Sequence, residues 1–197
     1  MTQDFNKVVD SGKRQEFNTG SVRDTAEGKG TPHLLAGEAL QRILNQSMPY
    51  DATISYLKQI ETNLLEYGIV KQARTDGVNL LYTAGNLCLT YINKIESVPY
   101  SGAFRRLSKH YENGAKKYDK NNWRKGQPIS RYYDSAMRHL WAEFDGKTDE
   151  DHAAAIFWNI VAMIQTKLDI AHGYLPKELD DYPFTVEEVF GKKNDKV

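Results

Sequence analysis

Residues 111–126, YENGAKKYDKNNWRKG, combine residue types that suit an anionic, planar ligand. Five lysines and arginines lie in this stretch, and Trp123 stands between Asn122 and Arg124. Lys and Arg side chains pair with phosphate groups, and an indole ring can stack on a base. The stretch therefore indicates either a pocket for such a ligand or, more simply, a solvated helix end.

Acids and imidazoles occur beside the apolar stripes of the predicted helices on either side of this turn. Glu112 and Lys116 are four residues apart, and so are His139 and Glu143. Residues at this spacing share one face of a helix. Each pair also has a structural explanation, as a surface ion pair or as a partly buried histidine with a local partner.

The segment that follows carries a third set of polar residues. A rotation of about 100° per residue places Asp149, His152 and Asn159 on one helix face. A buried Asn two turns inside an apolar helix must find hydrogen-bond partners, which a polar network in the core or a ligand would supply. Trp158 lies on another side of this helix and is predicted to pack in the core.

Short connections make these three helices antiparallel neighbours. Their carboxylates, Glu112, Glu143, Asp149 and Asp151, are therefore candidate ligands for a hard divalent cation. Acids for a metal, cations for phosphates and an aromatic ring together favour a nucleotide site. The competing hypothesis is a non-catalytic protein that binds single-stranded nucleic acid through the NNWRKG turn.

Composition narrows these choices. The chain has 197 residues, with 26 Lys and Arg against 26 Asp and Glu, so no overall field attracts nucleic acid or an anionic membrane. We find no run of 18 apolar residues and no apolar signal core near residue 1. The single cysteine, Cys88, excludes an intramolecular disulfide framework and a CxxC zinc site. We expect a cytoplasmic protein.

The pattern predicts an all-α bundle of about six helices. Residues 1–30 lack periodicity and are predicted to form an extended arm, and no convincing strand pair is present. Residues 174–197 are predicted to be an irregular tail with one short helix, TVEEVF. The predicted helices begin at Thr31, Asp51, residue 77, just after Gly102, at Pro128 and at Thr148.

Three segments, GAKKYDKNNWRKG, SAMRHLWAEFDG and DEDHAAAIFWN, resemble the phage-encoded dATP/dGTP diphosphohydrolase family. That family is related to the all-α MazG-type nucleoside triphosphate pyrophosphohydrolases. The arm SVRDTAEGKGTPHLL resembles the family's N-terminal Gly-Lys segment, which contains Lys29. The resemblance covers roughly residues 17–46 and 101–170. It implies one MazG-like domain over 1–173, a helical insertion at 47–100, and a tail from 174.

The resemblance implies hydrolysis of a purine deoxynucleoside triphosphate to monophosphate and pyrophosphate, with Mg²⁺ or Mn²⁺ as cofactor. It also implies a homo-oligomer in the host-cell cytoplasm, with no membrane or nucleic-acid partner. The paired ExxE and the ExxD of the better-known relatives are absent here. The candidate catalytic residues are Glu112, Asp151 and His152, and the metal candidates are Glu112, Glu143, Asp149 and Asp151. The candidate substrate-binding residues are Lys29, Lys116, Lys117, Tyr118, Asn122, Trp123, Lys125, Arg138, His139 and Asn159.

Overall fold

The computed structural model describes residues 12–24, 52–69, 74–97 and 101–183. Two strands and five α-helices lie in these ranges, in agreement with the predicted all-α bundle. They are β1 (Arg14–Glu16), β2 (Val22–Asp24), α1 (Ala52–Ile69), α2 (Arg74–Glu96), α3 (Ser101–Tyr118), α4 (Ile129–Phe144) and α5 (His152–Ala171). Short 3₁₀-helices span Asn122–Lys125 and Lys177–Leu179. The helix predicted from Thr31, the short helix TVEEVF and Lys29 lie outside the described residues.

Helix α5 is the centre of the bundle. It packs against α2, α3 and α4, while α1 packs mainly on α2 and also reaches α4. One hydrophobic cluster joins α1, α2, α4 and α5, and includes the fully buried Ile60, Leu81, Leu140 and Ile160. Each such side chain contributes about 1.5–3 kcal/mol when it is fully buried. The two helices of the predicted insertion are therefore built into the same core as the helices around the site.

The long apolar stretch of α5 has the length and composition of a membrane-spanning helix, yet most of it is buried inside the bundle. Its neighbours on three sides explain its apolar character. Helix α5 begins at His152, three residues later than the predicted first turn, because the Asp151 side chain accepts a hydrogen bond from the Ala154 amide. Asp149 and Glu150 consequently lie in the preceding turn.

The prediction that the arm contains no strand pair was wrong. Strands β1 and β2 form an antiparallel hairpin in which Gln15 lies opposite Arg23. A hairpin this short is marginal by itself. It is held by contacts to the rest of the chain more than 90 residues away, so no local periodicity reveals it.

The start of the predicted tail also packs on the bundle. Tyr182 is buried against Tyr67 and Tyr133, and the Tyr67 hydroxyl donates to the Tyr182 carbonyl. The carboxylate of Asp181 accepts hydrogen bonds from the amide and hydroxyl of Ser130, in the first turn of α4. Residues 174–183 therefore help to set the position of α4, which carries much of the site.

Candidate functional site

A cavity of about 560 Å³ lies between α3, the first 3₁₀-helix, α4, the start of α5 and strand β2. This volume falls within the range of pockets that bind small molecules. Its lining mixes basic, acidic, imidazole and aromatic side chains, which is the combination predicted for a nucleotide site.

Helix α4 presents one face to this cavity. Arg131, Ser135, Arg138, His139 and Ala142 line it, at the spacings that bring helical residues onto one side. Burial lowers the pKa of Arg138 to about 10, and repulsion from Arg23 acts in the same direction, so the guanidinium remains charged at neutral pH. The buried Nε of Arg131 has no hydrogen-bond partner within the described part of the chain. Two guanidinium groups thus stand on one wall, with donor capacity suited to phosphate oxygens.

The 3₁₀-helix and the hairpin hold each other in place. The side-chain amide of Asn122 donates to the Val22 carbonyl at 2.8 Å and accepts from the Val22 amide at 3.0 Å, as a paired strand would. The Lys125 ammonium donates to the Gly20 carbonyl at 3.0 Å, and the Thr19 hydroxyl donates to the Gly126 carbonyl. The turn therefore uses Asn122 and Lys125 to fasten β2 along the cavity.

Strand β2 places Arg23 against the inner wall. Its guanidinium donates to Gln127 Oε1 and to Asn159 Oδ1, both at 3.2 Å. It also lies over the rings of Tyr132 and Trp158, at 5.6 and 6.0 Å. Burial lowers the pKa of Arg23. The buried Asn159 side chain thus has two hydrogen-bond partners, because it accepts from Arg23 and donates to the Ala155 carbonyl.

Lys117 and Tyr118 approach the hairpin through Asp24. The Lys117 ammonium lies 2.9 Å from the Asp24 carboxylate, and the Tyr118 hydroxyl accepts from the Asp24 amide at 3.3 Å. Trp123 contacts Tyr111 edge to face, with 5.5 Å between the ring centroids. Aromatic rings and lysines are thus combined at this side of the cavity, as the sequence predicted.

A second group of polar side chains lies on the α4–α5 side of the cavity. His139 Nδ1 and His152 Nδ1 are 3.0 Å apart, and His152 Nε2 lies 3.0 Å from Asp149 Oδ1. Glu150 Oε1 is 3.5 Å from His139 Nδ1 and 3.9 Å from His152 Nδ1. Burial lowers the pKa of His139 well below its usual value, and His110 and His152 add to this effect. We call His139, Glu150 and His152 the imidazole–carboxylate cluster.

The comparison with family models decides which family this site resembles. Residues 92–172 match the dATP/dGTP diphosphohydrolase N-terminal family. The match covers less than half of the chain, but it contains every lining residue of the cavity except the three from β2. No curated protein and no solved structure matched the chain. The resemblance to the dATP/dGTP diphosphohydrolases is thus confirmed over residues 92–172, whereas the resemblance of the N-terminal arm stays a prediction.

Most of the predicted substrate-binding residues meet in the cavity. The structure places Asp149 and His152, candidates for metal binding and catalysis, in the same lining. The other predicted residues that line it are Lys117, Tyr118, Asn122, Trp123, Arg138, His139 and Asn159. Trp158, predicted to pack in the core, also lines the cavity and contacts His110, Tyr111 and Tyr132.

Glu112 and Lys116 are placed elsewhere. They form the exposed ion pair that the sequence allowed as a structural explanation, with Lys109 as a second partner of Glu112. Hydrogen bonds from Lys116 and Lys109 lower the pKa of Glu112. Neither Glu112 nor Lys116 lines the cavity, because the face of α3 that they share points to solvent.

Protein partners outside the cavity also hold Glu143 and Asp151, and Lys125 is held by the Gly20 carbonyl. The Tyr91 hydroxyl donates to Glu143 at 2.6 Å. Asp151 caps α5 and accepts two hydrogen bonds from Arg106, at 2.6 and 2.8 Å. Three of the four carboxylates predicted to bind Mg²⁺ or Mn²⁺, namely Glu112, Glu143 and Asp151, thus have protein partners outside the cavity. As a set, the four do not fit a single ion.

Among the lining residues that the sequence analysis did not identify, four bear on the chemistry of the site. Arg23 comes from an arm without a local pattern, and Arg131 and His110 belong to helix faces whose direction the sequence leaves open. Glu150 lies in the DEDH segment and was predicted to be in the first turn of the helix, whereas the helix begins after it, at His152. Only the unusual run of acids before His152 could have drawn attention to Glu150.

We expect the stability of the metal-free protein to fall as the pH is lowered from about 6.5 to 4. Burial lowers the pKa of His110 from 6.5 to about 4, so in this window the unfolded chain binds the proton more readily than the folded one. The stabilisation that His110 gives to the folded protein is therefore complete above pH 6.5 and is lost as the pH falls toward 4. We expect the free energy of unfolding to fall by about 1–2 kcal/mol. The effect is limited to this size because the ring also borders the cavity.

Urea unfolding at pH 7.0, 6.0 and 5.0 measures this effect, with His110→Asn as the comparison. The variant should show a smaller loss of stability over the same pH interval. An identical pH dependence in both proteins would contradict the prediction.

Proposed function

We propose that the chain hydrolyses a purine deoxynucleoside triphosphate, dATP or dGTP, to the monophosphate and pyrophosphate in this cavity. One observation carries the proposal. The face of α4 presents Arg131 and Arg138 for phosphates beside His139 of the imidazole–carboxylate cluster, within the segment that matches the dATP/dGTP diphosphohydrolase family.

The triphosphate is proposed to lie along the guanidinium groups of Arg131 and Arg138. Hydrogen bonds from charged donors are shorter and stronger than neutral ones, and Arg offers two parallel bonds to a phosphate. Fixed cations at the leaving group stabilise the negative charge that develops there during reaction. The unpaired Nε of Arg131 in the described structure supports this role, because buried donors normally have a partner.

The proposed reaction is attack by water on the α-phosphorus. A bond forms between the water oxygen and phosphorus, and the bond from phosphorus to the bridging oxygen breaks. Pyrophosphate leaves with that electron pair, and the water loses its proton in the neighbourhood of the cluster. His152 belongs to this cluster and is hydrogen-bonded to Asp149, and it is proposed to help activate the water, either as a base or as a ligand of a bound ion.

The base is proposed to contact Trp123, whose ring lines the cavity next to Tyr111. Trp123→Ala should weaken nucleotide binding by about 1–3 kcal/mol if the indole stacks on a base. Isothermal titration with a non-hydrolysable purine triphosphate measures the loss. A variant with reduced thermal stability but unchanged affinity per folded molecule would show that Trp123 serves packing alone.

A screen of deoxynucleoside triphosphates with Mg²⁺ or Mn²⁺, followed by detection of pyrophosphate, tests the proposed function. We expect turnover of dATP or dGTP and little turnover of pyrimidine substrates. Salt-sensitive binding of oligonucleotides with no turnover of any nucleotide would instead support the single-strand binder. Homo-oligomerisation, cytoplasmic location and the absence of membrane and nucleic-acid partners stay predictions of the resemblance.

A further inference from the structure

The imidazole–carboxylate cluster brings three ligand atoms together at the cavity wall. His139 Nδ1, His152 Nδ1 and Glu150 Oε1 lie within 4.8 Å of one another. They come from the face of α4, from the turn before α5 and from the first residue of α5. All three residues line the cavity, so an ion held between them would face the ligand.

The hydrogen bond to Asp149 prepares His152 for this position. With Asp149 as the acceptor at 3.0 Å, the imidazole carries its proton on Nε2. The lone pair is then on Nδ1, the nitrogen that faces His139 and Glu150. Histidine ligands of metals commonly donate their other N–H to a carboxylate in this way, which fixes the ring and its tautomer.

The spacing of the three atoms matches the size of a metal ion. Sides of 3.0, 3.5 and 3.9 Å define a circle with a radius of about 2.0 Å, close to metal–nitrogen and metal–oxygen bond lengths in zinc sites. An ion near the centre of this triangle would keep at least one position open toward the cavity. Three protein ligands and an open position are typical of catalytic rather than structural sites.

We propose that His139, Glu150 and His152 bind one divalent first-row transition-metal ion, such as Zn²⁺ or Co²⁺, in preference to Mg²⁺. Two imidazoles and one carboxylate are donors that suit these ions, whereas Mg²⁺ prefers oxygen ligands. The ion polarises a phosphate oxygen or lowers the pKa of a bound water when it is present. This inference rests on the proposed function for its role, because it places the ion where hydrolysis is proposed.

The competing explanation is a cluster held only by hydrogen bonds. In that case one of the two facing Nδ1 atoms carries a proton and donates it to the other. Such a cluster needs no ion and binds none at a fixed ratio. Two measurements separate the explanations. One is the number of ions that the full chain binds, and the other is how far the loss of each ligand weakens that binding.

The experiment uses the full chain after removal of metals with a chelator, titrated with Co²⁺ and followed by visible absorption. We expect one equivalent to bind, with ligand-field bands that change when Zn²⁺ is added and persist in excess Mg²⁺. Glu150→Gln keeps the shape of the side chain but removes its charge, and should weaken Co²⁺ binding at least about tenfold. His139→Ala should do the same.

His110→Asn is the matched control, because it removes an imidazole from the same cavity but from outside the cluster. It should retain the Co²⁺ spectrum, and circular dichroism checks that each variant keeps its helices. No Co²⁺ binding, equal weakening by the control, or displacement by Mg²⁺ at comparable concentration would overturn the proposed site.

The two proposals can fail separately. A Co²⁺ site that depends on Glu150, in a protein that hydrolyses no nucleotide, supports the metal site and contradicts the proposed function. Release of pyrophosphate with Mg²⁺ alone, from a protein that binds no Co²⁺, contradicts the metal site and supports the function.

Discussion

Replacement of His152 by alanine is expected to lower the rate of nucleotide hydrolysis by about 10²–10⁴-fold, the usual effect of losing a group that helps to activate the attacking water. His152 is buried and contacts both His139 and Asp149. Its loss removes the central imidazole from the end of the cavity where the water is proposed to be activated. Initial rates with dATP or dGTP, corrected for the folded fraction, measure the effect.

Glu112→Gln serves as the control for this experiment. Glu112 is paired with two lysines on the solvent face of α3 and does not line the cavity. Its substitution should leave the rate within about threefold of the unmodified protein, since charge changes on an exposed face act weakly on a buried site. A His152→Ala variant as active as the control would remove His152 from the reaction.

Asp151→Ala should produce the largest loss of stability, about 3–5 kcal/mol in the free energy of unfolding. The Asp151 carboxylate is buried, caps α5 through the Ala154 amide and accepts two hydrogen bonds from Arg106. Burial opposes the charge on Arg106, but its hydrogen bonds with Asp151 raise its pKa overall. Removing Asp151 leaves that guanidinium buried without its main partner.

Urea unfolding of three variants tests this account of Asp151. Arg106→Met combined with Asp151→Ala should cost less than the sum of the two single substitutions, because the double variant removes both charges of this buried pair. Additive losses would contradict the coupling between Asp151 and Arg106, and a stable Asp151→Ala protein that has lost only metal binding would identify Asp151 as a ligand instead.

The helices could be predicted from the sequence because their information is local. Apolar residues at helical spacing, with Gly and Pro between the segments, located α1, α2, α4 and α5 within a few residues. Helix starts were less certain, because several residues can act as caps. The prediction that Thr148 caps α5 placed Glu150 in the first helical turn, whereas Asp151 is the cap and Glu150 precedes the helix.

The arm illustrates what local patterns cannot show. Arg23 is held at the inner wall by contacts between distant segments, among them the pairing of Asn122, about one hundred residues later in the chain, with the backbone of Val22. Neither segment carries a signal for the other. Sequence patterns could identify side chains that line the cavity from a single helix face, such as Arg138 and His139. They could not identify contacts between distant segments.

The product analysis of a single turnover in ¹⁸O-labelled water tests the central claim most directly. Our account predicts that dATP or dGTP gives one monophosphate and one pyrophosphate, with the label in the monophosphate, because water attacks the α-phosphorus. His152→Ala should form this product about 10²–10⁴-fold more slowly, and Glu112→Gln should form it at nearly the original rate. Stepwise release of inorganic phosphate, or the absence of turnover with every purine triphosphate and divalent metal, would contradict the account.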